Sequence, residues 1–132
     1  TYYSALGESD QKMLLARAIQ MFMPGKPQIW YLDLFAGKND HEAVQRAGES
    51  GHKEINRTNL SVDQIAEGLK KDVVQKQLAL IRMRNTHKAF SEGAEVTISG
   101  EESSLEIRWE YDGAYAELHV NFEEGTYTIE SN

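Results

Sequence analysis

Cysteine is absent from this 132-residue chain, and proline occurs only twice. The first absence excludes a disulfide framework, a thiolate metal site and a cysteine nucleophile. Few prolines, with 40% hydrophobic residues, set the chain apart from disordered sequences. Basic residues are in deficit, with 14 Lys and Arg against 21 Asp and Glu and a formal net charge of -7. Such a chain lacks the basic footprint that non-specific nucleic-acid binding requires, and an anionic membrane surface repels it. No apolar run reaches the roughly 18–20 residues of a transmembrane helix. No signal peptide, internal repeat or low-complexity tract is visible. A soluble, cytoplasmic globular protein fits these absences. Neither a nucleophile elbow nor a phosphate-binding loop occurs, and the histidines at 41, 52, 87 and 119 lack metal-ligand spacing. No metal or cofactor is therefore expected.

What is present falls into two patterns. Ser9 is placed to cap "DQKMLLARAIQMFM", whose Leu14, Leu15, Ala18, Ile19, Phe22 and Met23 cover more than one narrow stripe, the mark of a helix buried on several sides. After Pro24-Gly25 comes "PQIWYLDLF", a continuous apolar run that reads as a parallel strand covered on both faces. Asn39 and Glu42 have capping-box spacing before the short helix "DHEAVQRAG". A polar loop, "ESGHKEINRTN", follows. Ser61 and Gln64 form a second capping box before "VDQIAEGLKK", and Asp72 is placed to cap a helix carrying Val74, Leu78, Ile81 and Met83 on its core face. Beyond Ser91-Glu92-Gly93 the period becomes two. "EVTIS", "SLEIRWEY", "AYAELHVNF" and "TYTIE" are strands, joined at one point by the hairpin signal Asp112-Gly113.

The expected fold is thus α/β plus all-β: an α/β segment over residues 1–91 and an antiparallel β-meander over residues 92–132. The first is incomplete, because one doubly covered strand needs partner strands that the chain does not supply. Alone it would expose a large apolar surface, so the chain is expected to self-associate and, opening at Thr1, to be part of a longer protein. Candidate chemistry is confined to two stretches. In "DLFAGKND", Lys38, Asn39 and Asp40 either line a cleft or merely solvate and cap a helix. In "GHKEINRTN", His52, Lys53, Glu54, Asn56 and Arg57 concentrate donors suited to hydroxyl or phosphate groups, or to a salt-bridged surface loop. The turn pairs Glu101-Glu102 and Glu123-Glu124 are adjacent rather than opposed across a sugar, and read as solvating charges.

"TYYSALG", "LLARAIQMFMPGKPQIWYLDLFAGKND" and "INR" resemble the C-terminal part of the sucrose phosphorylases and their close relatives in glycoside hydrolase family 13. "GKPQIWY" is similar to the G-x-P-x-x-Y-Y stretch of that family at its last barrel strand. "AGKND" with "INR" marks the phosphorylase branch. The resemblance is rich in motifs to about residue 90 and fainter through the meander. It implies the end of a (β/α)8 barrel with residues 28–32 as the eighth strand, followed by a small antiparallel β-domain. Barrel enzymes place their sites at the C-terminal ends of strands. Lys38, Asp40, His52, Lys53, Asn56 and Arg57 would then line the substrate rim. The implied reaction is retaining transfer of a glucosyl unit between sucrose and phosphate. Its catalytic carboxylates come from upstream strands, so no catalytic residue lies in this chain and the chain alone is expected to be inactive.

One departure bears on specificity. Family members read G-R-(Asp/Asn)-I-N-R, with the first Arg on the glucosyl unit; here "GHKEINR" puts Lys53 at that position and His52 beside it. Lysine does not replace the bidentate fork of arginine. A leaving group other than fructose, such as fructose 6-phosphate or glycerate, is therefore open. So are an α-glucosidase or transglucosidase of the same fold and, in another class, a non-catalytic carbohydrate-binding or interaction module.

Overall fold

A computed structural model describes residues 1–132. The chain forms two compact units, Thr1–Met13 with Gln28–Lys76, and Leu14–Pro27 with Gln77–Asn132. Helix α2 (Asp10–Phe22) and helix α6 (Asp72–Thr86) contribute to both.

The first unit holds α1 (Tyr2–Ala5), α3 (Tyr31–Leu34), α4 (His41–Ala47), α5 (Val62–Gly68) and a 3-10 segment, Gly48–Asn56, that packs against α4. Ser9 caps α2 as its spacing predicts, accepting from the Lys12 amide at 3.3 Å. The Ser61–Gln64 capping box is formed in both directions.

Five local readings are corrected. Residues 28–32 belong to no sheet: Trp30 is extended (φ -73°, ψ 136°), and the chain turns at once into α3. A parallel strand exists only through ladder bonds to neighbouring strands, and none of the four strands present lies beside it. The cap of α4 is Asp40, not Asn39; its Oδ1 accepts from the Ala43 amide at 2.9 Å. Asn39 is turned toward the chain start instead, accepting from the Thr1 nitrogen at 2.6 Å. The polar loop at residues 48–56 is a 3-10 segment, and Asp72 lies inside α6 rather than before it. The buried face of α6 is Val73, Val74, Gln77 and Leu80; Leu78, Ile81 and Met83 are only half-buried.

The second unit is built on the period-two pattern. Strands β1 (Glu95–Glu101), β2 (Ser104–Tyr111), β3 (Ala114–Asn121) and β4 (Thr126–Ser131) form an antiparallel meander in the order β1-β2-β3-β4. Asp112 and Gly113 close the β2–β3 hairpin with φ of 47° and 79°, the mirror-image turn that suits strand twist. The register sets Val96 opposite Trp109, Ile107 opposite Leu118 and Val120 opposite Tyr127 on the inner face. Trp109 donates its Nε1–H to the Phe22 carbonyl at 2.6 Å, and Phe90 packs edge-on against Phe22 with its ring 5.2 Å from that of Trp109.

Two cations complete this core. Arg17 is only 1% exposed and donates Nε–H to Gln77 Oε1 at 2.9 Å. The Arg84 guanidinium donates to the carbonyls of Met21, Met23 and Gly25 at 2.6, 3.1 and 2.7 Å, where α2 ends. It lies 4.3 Å above the Trp109 ring, and burial lowers its pKa from the usual arginine value. Carbonyls at a helix C-terminus lack intrahelical donors, and the planar fork of Arg84 supplies them.

Candidate substrate-binding rim

The candidate rim is built in the first unit, where α3 ends. Leu32 is only 2% exposed and anchors the helix. Ala36 adopts a left-handed φ of 52°, with its amide bonded to the Asp33 carbonyl and the Gly37 amide to the Leu32 carbonyl at 2.8 Å. This is the Schellman arrangement of a helix end, and it turns Gly37–Asp40 sharply away from α3. Gly37 is required by close approach, since a Cβ there would lie 2.4 Å from Leu32 Cγ.

The segment before α2 straps this turn in place. The Asn39 amide donates to Ser4 Oγ at 2.9 Å, the Tyr2 amide to Asp33 Oδ1 at 2.8 Å, and Lys38 pairs with Glu8 at 2.8 Å. Leu32, Lys38, Asp40, Glu42 and Thr58 line a cleft of about 520 Å³. A second, more apolar cleft of about 410 Å³ adjoins it, between Leu32, Phe35, Leu60, Gln64 and Lys71.

The 3-10 segment Gly48–Asn56 carries the other candidates. His52 and Lys53 are exposed, and Arg57 lies 3.7 Å from Glu54. Three donors from outside hold the end of the segment. The Asp40 amide reaches the Ile55 carbonyl at 2.9 Å, Trp30 Nε1–H the Asn56 carbonyl at 2.9 Å, and the Tyr31 hydroxyl the Thr58 carbonyl at 2.8 Å.

The expected site residues therefore fall into two groups. Lys38 and Asp40 line the larger cleft, whereas His52, Lys53, Asn56 and Arg57 lie on the neighbouring segment and do not line it. The two groups are joined at one backbone bond, from Asp40 to Ile55. Lys38 and Asp40 are also committed locally, one to Glu8 and the other to the cap of α4. Trp30 and Tyr31 escaped the sequence reading because an apolar run gives no sign of where an indole N–H or a phenol O–H will point.

One group has the composition of a metal site. Donor atoms of Glu106, Glu117 and His119 lie within 4.8 Å of one another on the outer face of the second unit's sheet. Arg108 already donates to Glu117 at 2.7 Å, and His119 lies 3.1 Å from each carboxylate. With Glu106 opposite His119 and Arg108 opposite Glu117, this is a cross-strand ladder of opposite charges. His119 does point outward, as the alternation predicts, but into this ladder.

The stretch that holds the extended lead-in, the strapped AGKND turn and the INR segment is similar to known glycoside phosphorylases. Over nearly its whole length the chain is a relative of the sucrose phosphorylases. It is 50% identical over 129 residues to the sucrose 6(F)-phosphate phosphorylase of Ilumatobacter coccineus, a match covering 98% of this chain and 24% of that protein. It is 40% identical over 129 residues to the sucrose phosphorylase of Agrobacterium vitis, covering 98% of this chain and 26% of that one. The crystal structure of sucrose 6F-phosphate phosphorylase from Thermoanaerobacter thermosaccharolyticum superposes with a TM-score of 0.91 at 42% identity, over 99% of this chain and 26% of that one. The chain thus spans about a quarter of the length of the relatives it matches. No family model matches the sequence.

Proposed function

We propose that this chain is the C-terminal part of a retaining α-glucoside phosphorylase whose donor is sucrose 6(F)-phosphate or a related glucoside. The 50% identity to a protein of that name carries the reading. Lys53 and His52 support it, since two exposed basic side chains stand where the resemblance has one arginine for the glucosyl unit. A compact ammonium suits a phosphate oxygen better than it replaces a bidentate fork.

In the whole enzyme a carboxylate attacks the anomeric carbon, and a carboxylic acid protonates the departing fructosyl oxygen. Inorganic phosphate then takes the glucosyl unit from the carboxylate, regenerating both groups with retention at the anomeric carbon. Both carboxylates belong to strands upstream of this chain, which alone is inactive. Residues 1–91 belong to the barrel and residues 92–132 to the sheet domain. Lys53, His52, Asn56 and Arg57 contact the sugar or its phosphate, while Lys38 and Asp40 shape the adjoining cleft. The upstream barrel covers the exposed Trp30, Tyr31, Ile65 and Leu69, and in its absence the isolated chain self-associates. The enzyme works in the cytoplasm.

The test is sugar-phosphate release by the full-length protein from sucrose and sucrose 6-phosphate in the presence of phosphate. Glucose without glucose 1-phosphate would make it an α-glucosidase, and no turnover of either substrate would leave the binding-module reading. Lys53→Ala is expected to raise KM for the phosphorylated donor roughly tenfold or more, the loss of one charge-assisted bond. Lys53→Ala kinetics matching the wild type on both donors would return Lys53 to the solvated surface.

A further inference from the structure

Trp30 and Tyr31 are adjacent exposed aromatic residues in the first unit, at 46% and 39%. A stacking platform for sugar is the obvious use of such a pair. Their geometry disfavours it: the rings are tilted at 48° with centroids 4.9 Å apart, so they present no common plane. Their polar heads instead reach the carbonyls of Asn56 and Thr58. Both bonds are long-range in sequence, and both land where the 3-10 segment ends. Carbonyls at the end of such a segment have no donor from the following turn. The Asp40 amide, the Trp30 indole and the Tyr31 phenol supply three in succession, at Ile55, Asn56 and Thr58.

We infer that Trp30 and Tyr31 are positioning residues that set the angle at which the Lys53–Arg57 turn faces the substrate. The inference rests on the substrate-rim reading above and adds the means by which that rim is held. The lever is rigid at its base, because α3 begins at Tyr31 and buries Leu32 in the next position. A turn that carries flexible Lys and Arg side chains gains precision only from the backbone beneath them. Neither aromatic residue touches the reacting atoms. Their contribution passes through the main chain.

The experiment uses the full-length protein with Tyr31→Phe, Trp30→Phe and the double substitution. Tyr31→Phe deletes one hydroxyl and keeps the ring, so it separates the bond from packing even if Trp30→Phe fails to fold. Hydrogen exchange is followed at the amides of residues 48–58, and kcat and KM are measured with sucrose 6-phosphate. The expected result is exchange accelerated roughly two- to tenfold in that segment, the equilibrium worth of an ordinary hydrogen bond. KM rises with it while kcat changes less. Unchanged exchange at residues 48–58 in both single variants overturns the inference. Accelerated exchange with an unchanged KM upholds the clamp as a structural device but removes the Lys53–Arg57 turn from substrate binding, which overturns the rim reading and the inference's function together. A further control is Lys76→Ala, whose exposed pair with Asp72 lies far along the sequence; acceleration of residues 48–58 by that change would show non-specific loosening and likewise overturn the inference.

Discussion

Replacing Arg84 tests whether the second unit is held by its apolar face alone. The guanidinium satisfies three carbonyls and covers the rings of Trp109 and Phe90 at 4.3 and 5.1 Å. A hydrogen bond to a charged donor is worth about 1.5–3 kcal/mol, and water recovers much of that at the two carbonyls bonded in exposed positions. Each ring contact adds about 0.5–1 kcal/mol. Burial of the cation works in the opposite direction, as its lowered pKa records. Arg84→Ala should therefore destabilise the unit by roughly 2–4 kcal/mol. Native-state hydrogen exchange at Ile107 and Leu118, both fully buried in the sheet, reads this directly as an acceleration of roughly 30-fold or more. Arg84→Lys keeps the charge but not the fork, and should lose about half as much. Arg84→Met keeps the stem over the rings and loses every donor. If Arg84→Met exchanges as slowly as the wild type, water serves the carbonyls equally well and the helix-end argument fails.

Gly37→Ala would push a methyl to 2.4 Å from Leu32 Cγ and 3.0 Å from its carbonyl, and is expected to cost roughly 1–3 kcal/mol, measured as a lowered midpoint in thermal unfolding. Ser61→Ala removes the side chain that accepts from the Gln64 amide at 3.1 Å; a loss of about 1 kcal/mol, confined to exchange in α5, is expected. The exposed Lys88–Asp112 pair, 2.8 Å apart, makes a prediction about pH. Lys88 holds the Asp112 pKa below its ordinary value, and Asp112 raises that of Lys88. The contribution of the carboxylate is thus present above the ordinary carboxylate range and lost as pH falls through the depressed value. That of the ammonium is lost as pH rises through the raised lysine value. Asp112→Asn, which keeps a residue tolerant of the left-handed φ of 47°, should be less stable than the wild type at neutral pH and low salt. The gap between their unfolding midpoints should close below the carboxylate range, and a gap that persists there would assign the loss to the turn rather than the charge.

The sheet was legible because its determinants are local. Alternation from Leu105 to Tyr111 and the Asp112-Gly113 turn specify strands, register and hairpin without reference to anything distant. The capping residues Ser9 and Ser61 were legible for the same reason, whereas Asn39 was misread. Two adjacent side chains can each cap a helix, and Asp40 takes the role because Ser4 and Thr1 occupy Asn39. A strand at residues 28–32 could not be fixed by its own sequence, since apolar character specifies burial while ladder bonds require a second segment. The same limit hid the cations. In a one-dimensional pattern Arg17 and Arg84 are charges on helices that should face water, and nothing near them in sequence announces Gln77 or the carbonyls from Met21 to Gly25. It also explains the two groups at the rim. Composition put Lys38, Asp40 and the residues of the INR stretch together as donors, but only Asp40 joins them, and through its backbone amide rather than its carboxylate. Side-chain chemistry can be counted from a sequence, whereas main-chain bonds that orient it depend on where two distant segments meet. That is why the specificity of the proposed rim should respond to Trp30 and Tyr31, which have no charge to contribute, as well as to Lys53, which does.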